Sequence, residues 1–344
     1  MRIAIVSDAW RPQVNGVVRT LETTAAVLED LGHETRVFSP HLFRSLPCPT
    51  YPEIPLALFP GRKLARELRQ YAPDAVHIAT EGPVGLAARN HCLHEGLAFT
   101  TSYHTRFPEY VRLRLPVPLT WSYRYLRWFH GPAARTMVAT PSMAEDLRDH
   151  RFRHLATWSR GVDTELFRPR LEPFYPDTAP IFLYVGRVAV EKNIEAFLGL
   201  DLPGTKYVVG DGPALDELRG RHPEARFVGY KSGDELASHV AGADVMVFPS
   251  LTDTFGLVIL EANASGVPVA AFPVTGPKDL IVNGRNGVLS DDLRAATLAA
   301  LEIDPASCRE FAERYSWRAC TQQFLANLEP NGDVDAPIAQ RESA

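Results

Sequence analysis

A chain of 344 residues with 45% hydrophobic side chains holds enough apolar material for two cores, so two domains of ordinary size are expected. The formal charge of −5 hides an asymmetry, because residues 1–170 carry 22 Lys and Arg against 16 Asp and Glu, while the remainder carries 14 against 25. The first half suits an anionic surface, but an acidic chain without an RNA or DNA motif excludes nucleic acid as a partner. Cys48, Cys92, Cys308 and Cys320 lie far apart and form no C-x-x-C, which points away from a zinc site or disulfide framework and towards a reducing cytosol. The start, Met1 to Asp8, turns polar too soon for a signal peptide. No apolar run approaches the ~18 residues that span a bilayer.

Ile3 to Val6 reads as a short strand running into a polar loop; Leu21, Ala25, Leu28 and Leu31 then recur at helical spacing until Gly32 stops the helix, and Glu34 to Ser39 is a second strand. This order opens a Rossmann-like domain, with Asn15, Gly16 and Val17 at the helix N-terminus. No G-x-G-x-x-G is present, so a dinucleotide is not the expected ligand. Ala75 to Ala79, followed by Glu81-Gly82-Pro83, and Ala98 to Thr105 are further strands with polar ends, carrying His77 and His104. Met137 to Ser142 is the last strand of this half, and Pro169 to Pro180 reads as a linker.

Between them, residues 106–135 hold Arg106, Arg112, Arg114, Arg124, Arg127 and Arg135 against one acid, Glu109, with Tyr110, Trp121, Tyr123, Tyr125, Trp128 and Phe129 interleaved. Wound as a helix from Leu119 to His130, the segment puts Leu119, Tyr123 and Leu126 on one side and Trp121, Arg124 and Trp128 on another. The first stripe can pack on the domain. The second has the chemistry of a bilayer interface, although an ordinary amphipathic helix with buried tryptophans fits the same pattern.

In the second half Ile181 to Val185 is a strand that meets Gly186 to Asn193 and a helix, and Tyr207 to Pro213 and Arg226 to Tyr230 repeat strand then turn. Such alternation argues a second parallel sheet. Asp244 to Pro249 reads as a buried strand, after which Ser250 to Ala262 sets Asp253 and Glu261 eight positions apart around Gly256 and the first turn of an apolar helix. Two carboxylates so placed suit a polyhydroxylated ligand, and bare N–H groups from Phe255 to Leu257 favour an anion. Arg187 and Lys192 could neutralise a diphosphate together. Taken alone, the cation pair and the strand-end histidines fit structural roles as well as chemical ones.

At Ser250 to Gly266 the chain resembles the retaining glycosyltransferases of family 4. Their signature is two Glu residues separated by seven others and followed by a small-residue stretch like Ala262-Asn263-Ala264-Ser265-Gly266, and Asp253 stands here where the family usually has Glu. The resemblance covers roughly residues 1–328 and implies the α/β GT-B architecture, two Rossmann-like domains facing across a cleft. It places an acceptor and membrane-facing domain over 1–168, a nucleotide-sugar domain over 175–312, a helix over 313–328 that crosses back, and a disordered tail over 329–344. The implied catalytic residues are His104, Arg187, Lys192 and Asp253. The implied donor contacts are Asn15, Gly16, Val17, Arg187, Lys192, Asp253, Thr254, Phe255, Gly256, Leu257 and Glu261, with Glu261 on the ribose hydroxyls; His77 and Glu81 are looser neighbours of that site.

The only D-x-D, Asp333-Val334-Asp335, falls in the tail, so transfer without a metal or cofactor is expected, with a UDP-sugar as donor and GDP-mannose as the alternative. The segments Ser102 to Thr105, Trp158 to Phe167 and Gly186 to Lys192 look most like the diacylglycerol-type lipid glycosyltransferases. They imply a lipid acceptor and a cytoplasmic enzyme peripheral on the inner face of the cell membrane, anchored to anionic lipid by Arg112, Arg114, Trp121, Arg124, Arg127 and Trp128. Two other readings fit the same residues: a soluble sugar or small-alcohol acceptor, and a nucleotide-sugar binding protein that has lost turnover through Asp253.

Overall fold

The computed structural model describes residues 1–13, 15–48, 51–114, 118–170, 174–177 and 180–332. The expected tail therefore lies outside the described residues from 333 onward, together with Asp333-Val334-Asp335 and part of the expected linker. The chain divides into two compact units: Met1–Pro108, Val117–Ser159 and Cys320–Ala344 form one, and Glu109–Pro116 with Arg160–Ala319 form the other. The division at Ser159 and Arg160 precedes the boundary expected at 168.

Among the described residues, unit 1 is built on six parallel strands, β1 (Arg2–Val6), β2 (Glu34–Phe38), β3 (Ala75–Ile78), β4 (Thr100–Tyr103), β5 (Arg135–Val138) and β6 (Leu155–Thr157), in the order β2-β1-β3-β4-β5-β6. Ile3, Ala4, Ile5 and Val6 are wholly buried, as expected of a strand covered on both faces. The first helix, α1 (Gly16–Asp30), seats Leu21, Ala25 and Leu28 and ends just before Gly32, as its spacing predicts. An antiparallel hairpin, Ser45–Cys48 with Tyr51–Ala57, interrupts the alternation. Sequence reading did not anticipate it, because Pro47, Pro52 and Pro55 suggest a loop, and proline is tolerated in so short a two-stranded ribbon only because each strand is an edge.

Because β1 and β3 are neighbours while the chain leaves them in opposite directions along the sheet, a crevice opens at their carboxyl ends. Asp8 closes part of it. Its carboxylate accepts from the N–H groups of Val84 (2.8 Å) and Gly85 (3.1 Å) at the start of α2 (Pro83–Glu95) and from the Thr80 hydroxyl (2.9 Å). Burial pushes the Asp8 carboxyl above its usual range, while these donors hold it back. Asp8→Ala removes the acceptor from two amides with no other cap, so unfolding free energy should fall by about 2–4 kcal/mol. Asp8→Asn keeps one oxygen and should lose less. Urea titration of both variants checks this, and equal, near-zero losses would show that the cap is dispensable.

Unit 2 repeats the scheme with β7 (Ile181–Val185), β8 (Thr205–Val209), β9 (Arg226–Gly229), β10 (Val245–Phe248), β11 (Val269–Ala271) and β12 (Gly287–Leu289). Their order is β9-β8-β7-β10-β11-β12, all parallel, with the reversal of strand order between β7 and β10. Phe182, Tyr184, Phe197, Val208, Val245, Val247 and Ala270 form its core. Ligands of open sheets bind at such reversals, so the loops after β7 and β10 are where chemistry is expected.

Candidate active site

In unit 2 those two loops are tied together by backbone contacts. The Asn193 side-chain amide, on a residue in the left-handed region, donates to the Pro249 carbonyl (3.0 Å), and the Thr252 hydroxyl donates to the Glu191 carbonyl (3.2 Å). The Tyr184 hydroxyl fixes the other end of the first loop by donating to the carbonyl of Arg187 (2.9 Å). Lys192 and Asp253 are thereby brought together, with Nζ 2.6 Å from Oδ1 in a partly buried ion pair. Asp253 Oδ2 is buried without a hydrogen-bond partner. The ammonium expected on a phosphate and the acid expected on a sugar hydroxyl are thus each other's partner in this structure.

Gly256 begins the helix α4 (Leu257–Ala264) at φ 91°, and no side chain caps this start. A Cβ there would lie 2.9 Å from Ile259 and 3.1 Å from Phe248, so both backbone and packing demand glycine. Thr254 and Phe255 are buried, and Leu257 is half-buried. One turn further on Glu261 is only 3% exposed. Its helix is anchored by a buried amide pair: Asn263 Nδ2 donates to the Val267 and Asn286 carbonyls, and Asn286 Nδ2 donates to Asn263 Oδ1 and the Leu280 carbonyl. The Asn286 oxygen accepts from the Val282 N–H, and satisfied polar networks of this kind lock one arrangement. Sequence reading missed Asn286. It also missed Gly276, whose φ is 94° and whose Cβ would meet the Asp253 and Phe255 carbonyls at 3.0 and 3.1 Å. The Thr275-Gly276-Pro277 turn, a legible signal, was the only hint of it.

In unit 1, Asn15 caps α1 with its own side chain, Oδ1 accepting from the N–H groups of Val17 and Val18 (3.0 Å each). Those two amides are therefore occupied by the cap in this structure. His104 follows β4 with its ring edge-on to Trp158 at 5.7 Å. His77 is wholly buried between the Thr100 and Ser102 hydroxyls (2.9 Å each) and against Phe324 of α5 (Trp317–Asn327), so it is a core residue. Glu81 Oε1 lies 3.2 Å from His130 Nε2, and His130 Nδ1 reaches the Thr101 hydroxyl at 2.9 Å. Glu81 is taken up by this packing contact.

The helix α3 (Leu119–His130) forms over the expected span. Tyr123 and Leu126 are buried, whereas Trp121 is 71% and Trp128 50% exposed and Arg124 faces solvent. The Arg89 guanidinium stacks 3.9 Å from the Trp128 ring. The basic run is not one continuous surface, however. Arg106 pairs with Asp146 (2.5 Å), Arg127 donates to the His150 carbonyl (3.1 Å), and Arg135 pairs with Glu329 (2.8 Å). Arg127 is thus drawn towards the domain, a correction to its place beside Trp121, because a carbonyl lay within its reach. Arg112 is exposed, and the side chain of Arg114 lies outside the described residues.

Two family models match the chain, Glycosyltransferase Family 4 over residues 14–166 and Glycosyl transferases group 1 over residues 179–303. A GDP-mannose-dependent alpha-mannosyltransferase of Mycobacterium tuberculosis is 31% identical, the match covering 84% of this chain and 83% of that protein. An alpha-monoglucosyldiacylglycerol synthase of Streptococcus pneumoniae is 26% identical over 89% of this chain and 79% of that one. Among solved structures, Anabaena Alr3699/HepE in complex with UDP and glucose superposes with a TM-score of 0.71 at 16% identity, covering 95% and 98% of the two chains, a likeness of fold. With two parallel-sheet α/β units of the GT-B class and a relative of this identity and coverage, the chain belongs to glycosyltransferase family 4 and is a hexosyltransferase.

Proposed function

We propose that this enzyme transfers a hexose or hexuronic acid from a nucleoside diphosphate sugar to a membrane lipid, diacylglycerol or a glycosylated diacylglycerol, with retention at the anomeric carbon, while resting on the cytoplasmic face of an anionic membrane. Glu261 holds the ribose hydroxyls, because a carboxylate accepts from both members of a cis-diol. Arg187, Lys192 and the uncapped start of α4 meet the charge developing on the leaving diphosphate, and Asp253 reaches the sugar once the phosphates take over Lys192. In same-face attack a donor phosphate oxygen receives the acceptor proton, so no side chain needs to be a nucleophile.

The observation that carries the lipid acceptor is the solvent face of α3, where two exposed tryptophans flank an arginine opposite a buried stripe. Such rings sit at headgroup depth, and each cation near anionic lipid contributes ~1 kcal/mol. The relative named for monoglucosyldiacylglycerol supports the same acceptor. For the donor, the mannosyltransferase relative supports GDP-mannose beside the UDP-sugars, and a screen of both against diacylglycerol separates them.

The test replaces Trp121, Arg124 and Trp128 together by Ser or Gln, leaving Arg127 on its carbonyl. Flotation with phosphatidylglycerol vesicles should be lost and transfer to vesicle-borne diacylglycerol should fall steeply, while transfer to a short-chain soluble analogue stays near wild type. Wild-type protein that ignores the vesicles, or turnover with sugars and small alcohols but none with diacylglycerol, would turn the reading to a soluble acceptor.

A further inference from the structure

Phe59 is 96% exposed, more than any other large hydrophobic residue described, and its neighbour Leu58 is exposed as well, as is Leu46 further along the hairpin, opposite Leu56. Phe59 also has a φ of 47°, a left-handed conformation that a bulky side chain adopts at a cost. The turn is held there by the Leu58 N–H, which donates to the Arg44 carbonyl (2.7 Å) at the base of the hairpin. Pro60 and the helix Gly61–Tyr71 follow directly. Arg44 precedes the hairpin and Arg62, Lys63 and Arg66 follow Phe59, all exposed. The Lys63 ammonium donates to the Leu42 carbonyl beside the Phe43 ring, and Arg66 lies 3.7 Å from Glu67, which leaves Arg44 and Arg62 as the cations nearest the tip with no ion pair among the described residues.

The topology aligns this tip with the α3 face. Leu64 and Leu68 of the helix 61–71, Val84 and Ala88 of α2, and Phe129 of α3 belong to one core cluster, so the three helices lie in one layer on the same face of the sheet. Helix 61–71 ends just before β3, and α3 just before β5, at the amino ends of those strands. Each therefore starts at the carboxyl end of the sheet. Phe59 and Trp121, at the two starts, stand at the same end of one layer.

We propose that the Leu58–Phe59 turn is a second membrane-entry point of unit 1, seated with the α3 face in one anionic lipid surface, the ring at the headgroup boundary and Arg44 and Arg62 on lipid phosphates. This rests on the membrane reading above. An exposed ring on a strained turn, with exposed Arg44 and Arg62 on either side of it in the chain, matches that surface in both apolar and charge character. The two contacts together orient the carboxyl ends of β1 and β3, where Asp8 and Asn15 sit, towards the bilayer.

Phosphatidylcholine vesicles with and without phosphatidylglycerol test this on the full chain. Leu58→Ser with Phe59→Ser should lower partitioning onto the anionic vesicles by about ten-fold, since a large apolar side chain stays in water. Arg44→Gln with Arg62→Gln should lower it on the anionic vesicles alone. Turnover of a short-chain soluble acceptor should not change in either. If the serine pair lowers the melting temperature, Phe59→Asn, which a left-handed backbone accepts, replaces it. Wild-type partitioning in the turn variants alongside lost partitioning in the α3 variant overturns this proposal and leaves the reading above standing. No binding by the wild-type protein defeats both. A concentration-dependent dimer abolished by the serine pair, without effect on vesicles, would instead make the turn a contact between copies and overturn the proposal.

Discussion

Glu261→Ala is expected to reduce transfer close to zero and to weaken donor binding by about ten- to a hundred-fold, the effect of losing a charged acceptor for hydroxyl donors. The side chain is buried on a helix anchored by Asn263 and Asn286, so its position does not depend on a mobile loop. The variant should remain folded, because Ala is the best helix former and removes a buried carboxylate rather than a packed apolar group. Calorimetry with UDP and GDP measures the binding change. Undiminished nucleotide affinity in a folded variant would remove Glu261 from the donor site.

Lys192→Ala should reduce kcat by about a hundred- to a thousand-fold, more than it weakens donor binding, as expected for a group that meets charge in the transition state. The ion pair sharpens the prediction. Without Lys192 the Asp253 carboxylate has both oxygens unmatched in a partly buried loop, where it repels an incoming diphosphate. Lys192→Ala should therefore be worse than Arg187→Ala, and adding Asp253→Asn to Lys192→Ala should restore part of the donor affinity. A double-mutant cycle reads the coupling, expected at about 1–3 kcal/mol. Strict additivity, or a Lys192→Ala enzyme with wild-type kcat, would mean that the two residues are surface neighbours and nothing more.

Much of the candidate site is visible along the chain because its parts are local. Asp253, Gly256 and Glu261 fall within one loop and one helical turn, so their spacing already sets the acids about a glycine start. In α3 the helical period alone separates Tyr123 and Leu126 from Trp121, Arg124 and Trp128, and burial follows that division. The same holds for α1, whose length follows from Leu21, Ala25, Leu28 and the stop at Gly32.

Contacts between distant segments were a different matter. Lys192 and Asp253 are 61 positions apart and meet because β7 and β10 are neighbours at the reversal of strand order; Asp8 finds Val84 and Gly85 across 76 and 77 positions because β1 and β3 are neighbours likewise. For His77 the strand-end position left a place near the site and a packing role equally open, and the packing of β4 and Phe324 around it made it core. The sequence by itself determined two doubly wound units, the loops at their strand ends and the two faces of α3, since periodicity and turn residues act over a few positions. Tertiary structure alone decided which charges neutralise one another, which arginines of the basic run remain in solvent and where the exposed Phe59 stands, because each depends on which strands and helices the sheet order places side by side.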